Sequence, residues 1–323
     1  MKHIKRITGI LLFGIILFVS YTTVDAAEVT QSAQTDKSIT ININGLSERL
    51  TGWKATLQQY DDSYTNKIDI QTSEQLGANI KEYTFSNLTP GTEYYVKVDY
   101  TYKDFSDIED SDSVSKTIYT APGKVTGVNQ VQWWYYIENV DFSWDKQDAC
   151  SYEWVAYQGN KQVANSTDIS RSNSGSFSVK NNKLYTVKVR AFTTINDQVI
   201  YGDWSDTAYL FTQPMINSNK GITIDNSGKM KVKWEKIDGV TGYDVYVSTK
   251  EKSGYKKVAS VNAKKGSITI KKFNKKKFNK KKTYYVYVVA KKNVDGTIYT
   301  SGRLYSTQYK KGSNTLRWSF STN

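Results

Sequence analysis

The chain has 323 residues, with 44 Lys plus Arg against 31 Asp plus Glu and a formal charge of +13. Its one histidine is His3 and its one cysteine is Cys150, which excludes Ser-His-Asp and Cys-His catalytic sets and histidine-ligated zinc or iron from the mature chain. With 20 glycines and 3 prolines it has the composition of packed globular domains, not of a low-complexity polymer.

In chain order, Lys2, Lys5 and Arg6 precede an apolar run from Ile10 to Val19, and Val24-Asp25-Ala26 closes it with a small-residue end. That pattern predicts a secretory signal over residues 1–26, cleaved near Ala26, with an uncleaved anchor as the alternative. The run is short for a membrane span, so no stable span is expected after cleavage. No cysteine follows it, so lipid attachment at the new N-terminus is not expected. Export is predicted, with the mature chain secreted or held non-covalently at the cell surface.

One block then occurs three times. It reads LTPGTEYYVKV from Leu88 to Val98, VKNNKLYTVKV from Val179 to Val189 and FNKKKTYYVYV from Phe278 to Val288. An apolar residue leads Tyr94, Tyr185 or Tyr284 by six positions, and valines alternate after the tyrosine as on a half-buried strand. The tyrosines lie 91 and 99 residues apart, a period that fits one small sandwich per copy. Pro122 follows Ile118-Tyr119 and Pro214 follows Leu210-Phe211, each stopping a strand at a join because proline fixes φ and lacks the ladder donor. The predicted domains are 28–121, 122–213 and 214–311, with residues 312–323 as a tail in which Leu316, Trp318 and Phe320 alternate and could pair with a sheet edge. The linkers are short.

The repeated block resembles the tyrosine corner of fibronectin type III domains, in which the tyrosine opens strand F and its hydroxyl bonds back across the E–F turn. Phe142-Ser143-Trp144 and Val232-Lys233-Trp234 are similar to the end of strand B with its core tryptophan, and Tyr152-Glu153-Trp154 and Tyr243-Asp244-Val245 to strand C. Ile43 stands where the family usually has tryptophan. The resemblance implies an all-β chain of three tandem immunoglobulin-like (fibronectin type III) β-sandwiches, a fold that hosts many binding roles and few catalytic ones. It also makes Tyr94, Tyr185 and Tyr284 structural residues. Tyr201-Gly202-Asp203-Trp204-Ser205 resembles half of the Trp-Ser-x-Trp-Ser ladder of related receptor domains, with Lys188 and Arg190 spaced to stack on the tryptophan.

Chemistry-bearing clusters are few. No Gly-rich phosphate loop occurs, and no loop is long enough to set two carboxylates across a cleft, so no catalytic, cofactor or metal residues are assigned and an enzyme is not expected. Cys150 reads as a buried hydrophobe rather than a nucleophile. Asp104, Asp107, Glu109, Asp110 and Asp112 crowd the loop after the first strand F. They fit a solvated loop better than a calcium site, since the glycine and terminal glutamate of a calcium loop are missing. Trp133, Trp134, Tyr135 and Tyr136 fall between strands A and B of the second domain, where they would serve a sugar-binding face or a protein hot spot, or else a packed inter-sheet edge or a domain–domain contact.

Charge is the strongest functional signal. Residues 215–323 hold 25 Lys plus Arg against 6 Asp plus Glu, a balance of +19, while residues 28–214 hold 16 against 24, a balance of −8. The densest part is KKFNKKKFNKKK, with Lys271, Lys272, Lys275, Lys276, Lys277, Lys280, Lys281 and Lys282 in twelve positions, read as lying on strand E and the E–F turn. Such asymmetry points to an anionic partner. After export this would be an anionic envelope polymer or an extracellular protein or polysaccharide, with no specific nucleic-acid role. Lysine predominates over arginine, which suits diffuse attraction better than bidentate recognition. Compositional drift toward lysine is the bland alternative. The predicted function is thus that of an exported bacterial, non-enzymatic adhesion or scaffold protein. An array of carbohydrate-binding modules using the second domain's aromatics, or accessory domains of an extracellular enzyme system, comes second.

Overall fold

The computed structural model describes residues 26–46, 49–166, 170–217 and 219–318. The predicted leader up to Asp25, and Phe320 of the tail, lie outside them. The described residues are all β, with no helix.

The first eight strands are β1 (Glu28–Gln34), β2 (Ser38–Asn44), β3 (Leu50–Tyr60), β4 (Lys67–Thr72), β5 (Leu76–Gly77), β6 (Glu82–Ser86), β7 (Glu93–Lys103) and β8 (Glu109–Tyr119). A sheet β1-β2-β6 faces a sheet β4-β3-β7-β8, with β5 on β3. The next eight are β9 (Asn129–Trp134), β10 (Asn139–Ser143), β11 (Ser151–Gln158), β12 (Lys161–Asn165), β13 (Ser174–Ser178), β14 (Leu184–Ile195), β15 (Gln198–Tyr201) and β16 (Ala208–Phe211). Here β9-β10-β13 faces β12-β11-β14, and β15 and β16 both pair with β14.

The last sandwich contains β17 (Ile222–Ile224), β18 (Met230–Lys233), β19 (Gly242–Ser248), β20 (Lys256–Asn262), β21 (Ser267–Ile270) and β22 (Tyr284–Val294). It is completed by β23 (Thr297–Thr300), β24 (Tyr305–Lys310) and β25 (Ser313–Trp318). Its sheets are β17-β18-β21 and β20-β19-β22-β24-β25, with β23 on β22.

Alternation dictates these faces, because successive side chains on a strand point to opposite sides. Ile39, Ile41 and Ile43 of β2 face Val96 and Val98 of β7 within the first core; Val187 and Val189 of β14, and Val286 and Val288 of β22, are their counterparts. Leu88, Val179 and Phe278, the residues six before the tyrosines, are all buried.

Each corner tyrosine is buried, and its hydroxyl accepts a backbone N–H five residues upstream. Thr89 N reaches Tyr94 Oη at 3.0 Å, Lys180 N reaches Tyr185 Oη at 2.8 Å and Asn279 N reaches Tyr284 Oη at 3.0 Å. A similar device opens β11 and β19, where Tyr152 Oη takes Gln147 N and Tyr243 Oη takes Ile237 N. The open side of each sandwich is clasped by an amide side chain. Gln31 exchanges two hydrogen bonds with the backbone of Tyr119, at 2.8 and 2.9 Å, and Gln130 does so with Phe211 at 3.0 and 2.7 Å. In the third sandwich the direction is reversed, with Asn314 of β25 bonding the backbone of Ile222 at 3.0 and 3.1 Å.

In the tail the edge pairing expected of Leu316 and Trp318 is what forms, with residues 313–318 making the edge strand β25 paired along its length with β24 rather than a loose tail, and two other expectations are corrected. Lys311 and Gly312 both take positive φ, 49° and 86°, which is the twist a two-residue hairpin requires. The lysine run does not lie on strand E, because β21 ends at Ile270. Phe273 and Phe278 both turn inward five residues apart, and that spacing breaks the two-residue period and holds the run in the E–F connection. Finally, Glu109, Asp110 and Asp112 belong to β8 and not to a loop.

Replacing Tyr185 with Phe leaves Lys180 N–H without its buried acceptor. The expected cost is about 1 kcal/mol in a urea titration, against no measurable loss for Tyr136→Phe, whose ring is 72% exposed.

Candidate functional site

The three corners share an interior and differ in what meets their outer face. At the first, Pro90 and Gly91 turn toward the second sandwich. Ala149 N donates to Gly91 O at 2.8 Å, and Gln147 clasps Gly123 through two hydrogen bonds of 2.9 and 3.0 Å. Gly91 sits at φ 57°, and a Cβ there would lie 2.5 Å from Cys150 Sγ, so the joint requires glycine. Cys150 is free and fully buried against this turn, with Sγ 3.8 Å from Gly91 O. Burial pushes its thiol up to about 12.

The second corner meets the third sandwich. Asn182 Oδ1 accepts Met215 N at 3.1 Å, and Asn182 Nδ2 donates to Glu235. The aromatic run of the second sandwich joins this contact. Trp133 and Trp134 end β9 and Tyr135 and Tyr136 form the turn after it. Rings of Trp133 and Tyr135 each lie 5.7 Å from Tyr305, and Trp134 meets Trp318 of β25 edge-on at 6.0 Å. Gln213 adds three hydrogen bonds, to Tyr305 O at 2.7 Å and from Leu304 N and Tyr305 N at 2.9 and 2.8 Å. Alternation sends part of the run out of its own core, and the next sandwich then covers it. The face is a joint.

The third corner carries Lys271, Lys272, Lys275, Lys276, Lys277, Lys280, Lys281 and Lys282, all exposed. No further sandwich covers it among the described residues. Two buried phenylalanines pin it, with rings stacked 6.4 Å apart and Phe278 edge-on to Tyr284 at 5.2 Å. Between them Phe273 and Lys276 exchange hydrogen bonds of 2.9 and 3.0 Å around Asn274 and Lys275, at φ 48° and 67°. Phe278 N is tied to Gly228 O at 3.0 Å, which fixes the turn against the β17–β18 connection. None of the eight is ion-paired among the described residues. The arrangement is a rigid frame presenting unneutralised ammonium groups.

Other clusters have internal partners. Asp104 Oδ1 accepts Ser106 N and Ile108 N at 2.7 and 2.9 Å, and Asp107 pairs with Lys103 at 2.9 Å. No group of three or more candidate metal ligands occurs among the described residues. Arg190 stacks on Tyr201 at 4.0 Å and Trp204 at 4.7 Å while bonding Glu153, and Lys188 stays exposed.

Asp244, which the sequence reading passed over, is buried on β19. It takes Lys291 Nζ at 2.7 Å, Ser260 Oγ at 2.6 Å and Lys257 Nζ at 3.4 Å. Burial would push its carboxyl up, but the bonds from Lys291 and Ser260 and the two ammonium charges outweigh burial and hold it below the usual value.

No family model matches the chain, and neither does any curated protein. Among solved structures it is similar to the FN1–FN3 domains of chicken contactin (CNTN1), at 11% identity over 90% of this chain and 97% of that one, TM-score 0.31. It is also similar to a segment of two fibronectin type III domains from chicken tenascin, at 13% identity over 58% of this chain and 98% of that one, TM-score 0.32.

Two outcomes follow from the buried groups. A thiol reagent should label Cys150 only after denaturation, so rapid labelling of native protein at pH 8 would show that the first joint opens. A carboxylate held low stabilises fully above its unfolded value of about 3.9 and loses that contribution as pH falls through the folded value. Asp244→Asn, which strands Lys291, should therefore cost about 1–3 kcal/mol at pH 7, and the urea midpoints of variant and wild type should converge as pH falls through the folded value.

Proposed function

Taking the chain as a tandem array of three fibronectin type III-like sandwiches, we propose that it is an exported, non-enzymatic binding protein. Its third sandwich holds an anionic polymer at the cell surface, and its first two act as a jointed spacer. The fold supports a binding or scaffold array in general. One observation carries the finer reading: eight exposed lysines, free of ion pairs among the described residues, occupy the corner position that the next sandwich covers in the other two copies. Like charges on so short an element repel, and a partner that neutralises them relieves that cost. The N-terminal leader pattern supports export. The sugar-face alternative loses support, since Trp133, Trp134 and Tyr135 are engaged at a joint.

The test uses the whole mature chain. Changing all eight lysines to glutamine should leave the thermal unfolding midpoint within a few degrees, because the side chains are exposed. It should weaken binding to heparin-agarose and to long-chain polyphosphate by at least ~100-fold at about 50 mM salt, where each lost contact weakens both affinity and salt slope. Wild-type binding should collapse between about 50 and 500 mM salt. Wild-type protein that binds no polyanion at low salt would leave the lysines as compositional drift.

A further inference from the structure

We infer that the polymer sits in a defined groove of the third sandwich rather than spreading over its corner, and that the groove selects compact phosphate-type anions. This rests on the polyanion reading and adds residues far from the lysine run. A groove of about 570 Å³ runs between β17 and the β24–β25 turn, with Ile222, Ile224 and Tyr309 beneath and Lys280, Lys281 and Lys311 around it.

The floor is a strand edge. In the sheet order β17 pairs with β18 alone. Gly221 O accepts Lys233 N at 2.7 Å and Asp225 N donates to Lys229 O at 3.0 Å, so Gly221 and Asp225 spend these backbone bonds toward β18. By antiparallel alternation Ile222 and Ile224 then turn theirs toward the open edge. Asn314 takes both groups of Ile222. Ile224 is left with both its N–H and its C=O on that edge, and the N–H is a fixed directional donor among mobile ammonium groups. The nearest carboxylate in sequence, Asp225, is engaged by Lys229 N at 2.9 Å and Ser227 Oγ at 2.8 Å.

The walls come from two places in the chain. Lys280 and Lys281 belong to the E–F corner, where Lys280 Nζ also reaches Asn226 Oδ1 at 2.6 Å. Lys311 projects from the β24–β25 turn, where it and Gly312 both take positive φ, and Tyr309, the residue two before it, is buried in the floor. Ammonium point charges on both walls with one N–H between them suit a compact phosphate group repeated along a linear chain. Lysine binds phosphate as a point charge, and no arginine lines the groove among the described residues.

Two triple variants of equal charge decide the matter, measured on the full mature chain with long-chain inorganic polyphosphate at low salt. K280Q/K281Q/K311Q should weaken binding by tenfold or more, and K271Q/K272Q/K276Q by less than threefold. Polyphosphate should also outcompete poly-glutamate of similar length. Equal losses in the two triples would overturn the groove while leaving diffuse attraction standing, and absence of wild-type binding would remove both. Stronger binding of poly-glutamate would overturn the phosphate preference. If thermal unfolding shows that K311Q loosens the hairpin, the pairs K280Q/K281Q and K271Q/K272Q give the same comparison.

Discussion

A tyrosine that opens a strand with its ring in the core must still satisfy its hydroxyl, since an unpaired buried polar group costs as much as several buried methylenes gain. The turn just before it supplies the partner. Tyr94, Tyr185 and Tyr284 each solve this with an N–H five residues back, and the solution dictates the shape of the turn. Inward demand fixes the turn, whereas its outer surface is unconstrained. The same loop therefore appears as Thr-Pro-Gly, as Lys-Asn-Asn-Lys and as a lysine run, and serves twice as a joint and once as an open, charged face.

The joints are more than linkers. Tyr305 packs within the second core, while Phe211 belongs to the third, so neighbouring cores interlock across the boundary at the second joint. At the first, Gly91 and Cys150 meet so closely that neither position tolerates added bulk. Short connections between sandwiches thus come with specific contacts, which gives each joint a defined geometry.

The fold was legible because its signals are local and repeated. A tyrosine six residues after an apolar anchor, alternating valines and a proline at each strand end are properties of short windows. The strand order follows from them. What escaped notice depends on contacts between distant residues. Gln31, Gln130 and Asn314 clasp opposite strands across 81 to 92 positions, and an amide in a polar strand carries no mark of that task. Asp244 read as an ordinary strand residue because its partners Lys257, Ser260 and Lys291 lie on two other strands. The lysine run was visible as charge, but the two-phenylalanine frame placed it in a loop rather than on a strand. β25 was underestimated because Lys311-Gly312 is a weak hairpin signal next to the Asn-Gly pairs that usually mark one.

The β24–β25 hairpin has a mechanical consequence. Its ladder bonds lie perpendicular to the strands, so a pull at Trp318 directed across the strands would load them one at a time, in unzipping and not in shear. The first residue pulled away is Trp318, together with its contacts to Trp134 and Tyr305. The second joint would survive that loss, because Trp133, Tyr135 and Gln213 hold it through Tyr305, so the C-terminal strand can peel while the sandwiches stay joined.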